Sequence, residues 1–174
     1  MPTDTKMLSL LFFAVLPISC LAKPTSDFYS YSVAVGSGSG TAFSSEGEGR
    51  ITAIRVWETS NAYITGIQLQ YDFIWSKRVG REVGNAHELI LFDGEAIIQV
   101  SGKYHSNYIY QVMFVTSRGR ALIVGQPIQN SFNFYPVHQG AELKLLSGRF
   151  NSNGITSLGA HWGLVSSITT SSTQ

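Results

Sequence analysis

An all-β domain of three sheets packed around a pseudo-three-fold axis is the architecture this sequence predicts, and three observations carry it. Apolar and polar residues alternate over most of the chain, which puts every second side chain on one face and marks half-buried strands. No segment beyond residue 22 keeps a helical period. A two-armed unit also recurs. Its clearest copy has arms at 141–145 and 155–162 around a polar loop through Gly148, Arg149, Phe150, Asn151, Ser152, Asn153 and Gly154, a composition that reads as a hairpin tip. On the second arm Leu158, Ala160 and Trp162 answer to Val112, Phe114 and Thr116, and again to Ile67, Leu69 and Tyr71. The first arms agree through Ile54/Val56, Ile98/Val100 and Leu143/Leu145. Repeats that cannot each bury an apolar face pack those faces around a shared axis. A sandwich of roughly eight to twelve strands is the competing solution.

In chain order, residues 1–22 read as a secretory signal peptide. Lys6 closes a polar start, residues 7–16 are an apolar run broken only by Ser9, and Cys20 and Ala22 are small residues before a cleavage point. The run is too short for a comfortable membrane span. Residues 23–27 are a polar lead to the folded domain, 28–164. The first strand, 28–35, alternates Phe28, Ser30 and Ser32 with Tyr29, Tyr31 and Val33. Three glycines in Gly36-Ser37-Gly38-Ser39-Gly40 then make a backbone-exposing loop. A short strand at 41–44 and a polar turn at 45–50 lead to the first hairpin unit, 51–58 and 62–71, turned at Thr59-Ser60-Asn61.

A glycine-punctuated excursion at 75–87 precedes a strand at 88–92, and Asp93-Gly94-Glu95 is a strong turn signal. The second unit spans 96–104 and 108–116 with its tip at His105-Ser106-Asn107. Ser117-Arg118-Gly119 turns into a strand at 120–124, a loop at 125–130 contains Pro127, and a strand at 131–135 stops before Pro136. His138-Gln139-Gly140 opens the third unit. Residues 165–174 form a Ser/Thr-rich tail, expected to be disordered and suited to O-linked sugar.

Composition bounds the chemistry. With 174 residues, 44% hydrophobic and 13% charged, the chain is the size of one domain with a buried core. Its 17 glycines and 12% aromatics suit many strands joined by tight turns. A formal net charge of +1 argues against a nucleic-acid footprint. The single cysteine, Cys20, lies in the signal segment, so no disulfide framework holds the domain and its core must do so.

Several motifs then fall into a familiar order. The glycine-rich loop is followed by ITAIRV and ITGIQLQY (51–56, 64–71), a tryptophan at 75, and GEAIIQVSGKY with VMFVTSRGR (94–104, 112–120). LSGRFNSNGITSLGAHW (146–162) closes the series. The pattern resembles the jacalin-like lectins, in particular their secreted animal branch, over about residues 28–162. The resemblance implies a β-prism of three Greek-key sheets with a shallow carbohydrate site at one end, and no enzymatic activity or cofactor. The ligands it implies are glycans or glycoproteins, mannose-type or sulfated. It also implies storage in secretory granules or export to the extracellular space.

Carried over residue by residue, the site comprises Gly36, Ser37, Gly38, Ser39 and Gly40, whose amides face the sugar. Lys103, Tyr104, His105 and Tyr108 form a recognition loop, and Asn151, Ser152, Asn153, Gly154, Ile155 and Thr156 a binding loop. The family pattern places an aspartate where this chain has Thr156. A carboxylate offers only acceptors, whereas a threonine hydroxyl brings one donor and two lone pairs. Losing a charged acceptor is worth about 1.5–3 kcal/mol, roughly a factor of ten to a hundred in affinity.

Other chemistries find less support. The glycine loop is followed by no helix and fits no dinucleotide or Walker pattern. It is either a ligand cradle or a plain turn, and the second tip either stacks on a saccharide or is a solvated loop. His87, His105, His138 and His161 show no metal-ligand spacing, and there is no G-x-S-x-G elbow. Arg55, Lys103 and Arg149 would make a basic face for sulfated glycans if they share a surface. Polyamine binding would need an acidic cluster, for which Glu46, Glu48 and Glu58 are the nearest candidates. Trp57, Trp75 and Trp162 read as core or half-buried strand aromatics. The alternative to a lectin is a degenerate one acting as a secreted protein-interaction or granule-matrix module.

Overall fold

The computed structural model describes residues 29–164, so the segments expected to be signal peptide (1–22) and lead (23–27), Phe28 and the Ser/Thr-rich tail lie outside the described residues. Thirteen strands and no helix are found there: β1 (Ser30–Gly36), β2 (Thr41–Ser44), β3 (Ile51–Glu58), β4 (Ile64–Tyr71), β5 (Ile74–Trp75), β6 (Val79–Gly80), β7 (Asn85–Ile90), β8 (Ile97–Tyr104), β9 (Ile109–Thr116), β10 (Ala121–Gly125), β11 (Asn130–Phe134), β12 (Glu142–Phe150) and β13 (Ile155–Gly163). They form three antiparallel sheets, ordered β1-β13-β12-β2, β5-β4-β3-β7 with β6 also on β4, and β10-β9-β8-β11. Each sheet is a Greek key. A central hairpin is flanked by two outer strands, and the chain crosses the hairpin tip to connect them. In the sheet holding β12 and β13 the outer strands come from the start of the domain, so that sheet ties the two ends of the domain together. Among the described residues no helix is long and apolar enough to cross a membrane.

Triplication extends to the irregularities. The first arms break register at Ile51/Ala53, Ile97/Gln99 and Leu143/Leu145, each 46 residues from the last. Near the tips they break again before Glu58, Tyr104 and Phe150, at the same spacing. These bulges correct two first-arm expectations, because a one-residue slip moves a side chain to the other face. Ile97 is buried while Ile98 is exposed, and Leu146 enters the core while Leu145 is only half-buried. The second arms follow the expected alternation. Ile67, Leu69 and Tyr71, then Val112, Phe114 and Thr116, then Leu158, Ala160 and Trp162 are all buried. Together the inward faces form one core between the sheets.

Three further boundaries differ from expectation. Gly148, Arg149 and Phe150 belong to β12 rather than to a loop, because β2 pairs alongside them, Gly148 to Phe43 and Phe150 to Thr41. The strand expected at 88–92 is shifted to β7, whose residues 85–90 run beside β3. Within the excursion, β5 and β6 lie against β4. They extend that sheet beyond β4, and Arg55 stacks 4.3 Å from the Trp75 ring and 5.8 Å from Trp57. Trp57 and Trp162 are buried and Trp75 is half-buried.

Candidate functional site at the tip end

Three hairpin turns and three crossing loops meet at one end of the prism, and the crossing loops share one construction. Gly36, Gly80 and Gly125 all have left-handed backbones, with φ of 99°, 77° and 98°. A Cβ on these residues would lie 2.4, 2.3 and 2.1 Å from the carbonyl oxygens of Thr156, Thr65 and Tyr110, so only glycine fits. The amide of the following residue donates to that same carbonyl: Ser37 to Thr156 (2.7 Å), Arg81 to Thr65 (2.8 Å), Gln126 to Tyr110 (2.7 Å).

In the first of these loops the Thr156 hydroxyl donates to the Ser39 carbonyl at 2.7 Å, and Thr156 is wholly buried. Its hydrogen is therefore spent on the loop. Ser39 donates its amide to Ser37 Oγ (3.1 Å), and the two hydroxyls lie 2.7 Å apart. Arg149 donates Nη1 to the Gly40 carbonyl at 2.8 Å. The repeat copy of Thr156 behaves alike, since Thr65 donates its hydroxyl to the Val83 carbonyl at 2.6 Å.

The third hairpin tip is organised by Asn151. Its Oδ1 accepts the amides of Asn153 (2.8 Å) and Gly154 (3.1 Å), and its own amide donates to the Gly154 carbonyl (3.0 Å). Those two loop amides are thus engaged within the turn, while Ser152 and the Asn153 side chain face solvent. Asn151 and Asn153 both donate Nδ2 to the Tyr108 hydroxyl, at 3.3 and 3.2 Å. These bonds hold the Tyr108 phenol below its usual pKa, Asn153 contributing most. The Tyr108 ring stacks on Tyr63 with centroids 4.1 Å apart, and Tyr110 meets Tyr63 edge-on. Gly154 leaves room for Tyr63, whose ring a Cβ there would approach to 3.0 Å.

Thus residues 36–40, 151–156 and Tyr108 come together, with Ile155 buried in the core beneath them. The rest of the second tip is directed elsewhere. Lys103 donates Nζ to Ser131 Oγ on the neighbouring strand (2.9 Å), Tyr104 packs edge-on to Phe132, and exposed His105 contacts Ser106. Two residues that sequence reasoning missed join the cluster: Tyr63, and Arg81, which donates to the Ser152 carbonyl at 2.9 Å. Tyr63 carried a signal, since it and Tyr108 each stand just before the buried isoleucine that starts a second arm, Ile64 and Ile109. Arg81 carried none.

The condition for a basic face, a shared surface, is not met. Arg55, Lys103 and Arg149 stand on β3, β8 and β12, one in each sheet, and Arg55 is ion-paired with Glu88 at 2.6 Å. The acidic trio does not assemble either. Glu58 lies at the tip end, 3.2 Å from His87, while Glu46 and Glu48 lie between β2 and β3 at the opposite, base end. Among the described residues no group of three or more His, Cys, Asp or Glu could hold a metal ion.

Comparison with known proteins gives a consistent picture. A family model for the jacalin-like lectin domain matches residues 32–161. Zymogen granule membrane protein 16 of Rattus norvegicus is 39% identical over 160 residues, covering 88% of this chain and 94% of the relative. The crystal structure of a prostate-specific WGA16 glycoprotein lectin superposes with a TM-score of 0.68 at 34% identity, covering 78% of this chain and 99% of the other. Single-chain recombinant jacalin, at 19% identity, shares the fold with a TM-score of 0.64 over 76% and 95% of the two chains.

Proposed function

This chain belongs to the jacalin-like lectin domain family, and from that premise we propose that it is a secreted, non-enzymatic glycan-binding protein. Its sugar, of mannose type or sulfated, lies at the tip end against residues 36–40 and 151–156. The observation that carries this reading is the coupling of those segments. Ser37 donates to the Thr156 carbonyl and Thr156 to the Ser39 carbonyl, which draws the glycine loop onto the third tip. The backbone of Gly38 and Gly40 then shares a surface with exposed Ser152 and Asn153. The Tyr63–Tyr108 stack forms the adjoining wall and shapes selectivity. With no carboxylate at 156, single-site affinity is low and function relies on multivalent display. The relatives' name supports storage in secretory granules.

A glycan array of wild type, Asn153→Ala and Thr156→Asp tests this, each variant first checked for folding by circular dichroism. Weak binding to mannosides or sulfated glycans, reduced in Asn153→Ala, is the expected result. If neither wild type nor Thr156→Asp rises above background, the lectin reading fails. A second reading, a module binding granule or extracellular matrix proteins, is favoured by the engaged Thr156 hydroxyl and by exposed Ile98 and Ile123 on the β8–β11 sheet. It predicts a polypeptide partner that free sugar does not displace.

A further inference from the structure

We propose that the base end of the prism carries a second saccharide subsite, a cleft between Phe73 and Phe92 that takes one all-equatorial pyranose ring. The ligand class rests on the glycan-binding reading above; the construction of the cleft does not.

Two turns leave the strands on either side of β3. One follows β4 and presents Asp72 and Phe73; the other follows β7 and presents Phe92, Asp93 and Gly94. Since β3 lies between β4 and β7, these turns rise two strand spacings apart, about 9–10 Å. Arg50, Ile51 and Thr52 at the start of β3 lie between them. The resulting cavity is about 290 Å³, the low end of the range for ligand pockets and suited to a single small ring.

Both walls are anchored to the floor. Thr52 Oγ1 accepts the Phe73 amide (3.1 Å) and its carbonyl accepts the Leu91 amide (2.9 Å). Asp72 donates its amide to the Arg50 carbonyl (2.9 Å) and accepts the Arg50 amide on Oδ1 (3.0 Å). Phe92 donates its amide to Glu95 Oε2 (2.8 Å), and the guanidiniums of Arg120 and Arg118 lie 4.2 and 5.4 Å from its ring centre. The cleft is thus formed before any ligand arrives, which lowers the ordering cost of binding.

One wall is a tight turn. Asp72 and Phe73 are consecutive non-glycine residues in the left-handed region, with φ of 42° and 69°. They are the two central residues of the hairpin loop that joins the paired Tyr71 and Ile74, a turn that calls for left-handed backbones. Phe73 is 81% exposed, so its ring is open to a ligand.

Chemistry selects the ring. In an all-equatorial pyranoside both faces carry only C–H bonds and suit two aromatic walls, while the hydroxyls radiate from the rim. The exposed Asp93 carboxylate is the acceptor at that rim, Asp72 being turned onto Arg50 and Gly49, and bonds to ionised acceptors are the stronger kind. An axial hydroxyl, such as O2 of mannose, would press against one phenyl face. A site at each end would make one chain bivalent, able to bridge two glycans without oligomerising.

Amide chemical shifts of the isotopically labelled protein, titrated with methyl β-D-glucopyranoside and methyl α-D-mannopyranoside, decide the matter. The glucoside should move the amides of Asp72, Phe73, Phe92, Asp93 and Gly94 saturably. Phe73→Gly should weaken that response at least tenfold without lowering Tm, because the position suits glycine, and Phe92→Ala should weaken it likewise. No saturable response at the base, an undiminished response in Phe73→Gly, or an equal response to the mannoside would each overturn the proposal. Shifts confined to residues 36–40 and 151–156 would sink this subsite and leave the tip-end reading standing. Shifts confined to the base would support this subsite and remove these neutral glycosides from the tip-end reading.

Discussion

Thr156 and Thr65 occupy the same place in two copies of the repeat, and each donates its hydroxyl to the carbonyl of its own crossing loop. The third copy is Tyr110, whose ring packs against Tyr63 instead. Threonine at 156 is therefore more than a missing sugar ligand, because it clamps the glycine loop as Thr65 clamps residues 81–84. Replacing either by valine keeps the branched shape, removes the hydrogen bond and leaves a loop carbonyl without its donor. Thr156→Val and Thr65→Val should each cost about 1–2 kcal/mol, read from urea denaturation midpoints; an unchanged midpoint would show that the clamp is idle. Thr156→Asp should cost more than Thr156→Val. It sets a carboxylate with no proton to donate against the Ser39 carbonyl in a wholly buried place.

Among the connecting elements, the turn from β7 to β8 depends on one buried charge. Glu95 accepts the Phe92 amide and is paired with Arg120 at 2.8 Å. The Thr116 oxygen already accepts the amides of Arg118 and Arg120, leaving its hydrogen for Glu95. Burial pushes the Glu95 carboxyl up, yet the Phe92 amide, the Thr116 hydroxyl and Arg120 together hold it below the usual carboxylate value. A depressed native pKa stabilises fully above the unfolded value and is lost as pH falls through the native one. Stability should therefore decline in acid below about pH 4. Glu95→Gln should lower stability at neutral pH by about 1.5–3 kcal/mol and flatten that acid limb. Denaturation midpoints of both proteins, followed from neutral pH down to about pH 2, span the carboxylate titration range and check both effects. Parallel limbs would exclude Glu95 as the titrating group.

Across the whole molecule, the sheets interlock at the tip end. Gly125 lies against the Ile64 side chain and Gly80 against that of Ile155, so that a Cβ on either glycine would come within 3.0 Å of the isoleucine Cδ1. Each contact joins two different sheets, and no sheet completes its core alone. Ile155→Ala should therefore cost about 2–5 kcal/mol and weaken all three sheets together. Tryptophan fluorescence, which reports on Trp57, Trp75 and Trp162, should lose its native signal at the same denaturant concentration as far-ultraviolet circular dichroism. Separate transitions would mean that the sheets unfold independently.

The sequence by itself determined the three-fold repeat, the buried phase of every second arm and the three tips. Each is written in the period-two alternation of neighbouring residues, which needs no knowledge of what packs where. Only the tertiary structure decided the rest. It set Ile97 inward and Ile98 outward, because the bulge depends on how β8 registers with β9. It made strand of Gly148 to Phe150, because β2 arrives from more than a hundred residues away. It stacked Tyr63 on Tyr108 and put Arg55, Lys103 and Arg149 on three different sheets. It also gave the Thr156 hydroxyl to Ser39. A hydroxyl's donor capacity is legible in one letter, but its partner is chosen by which loops the fold brings within hydrogen-bonding distance.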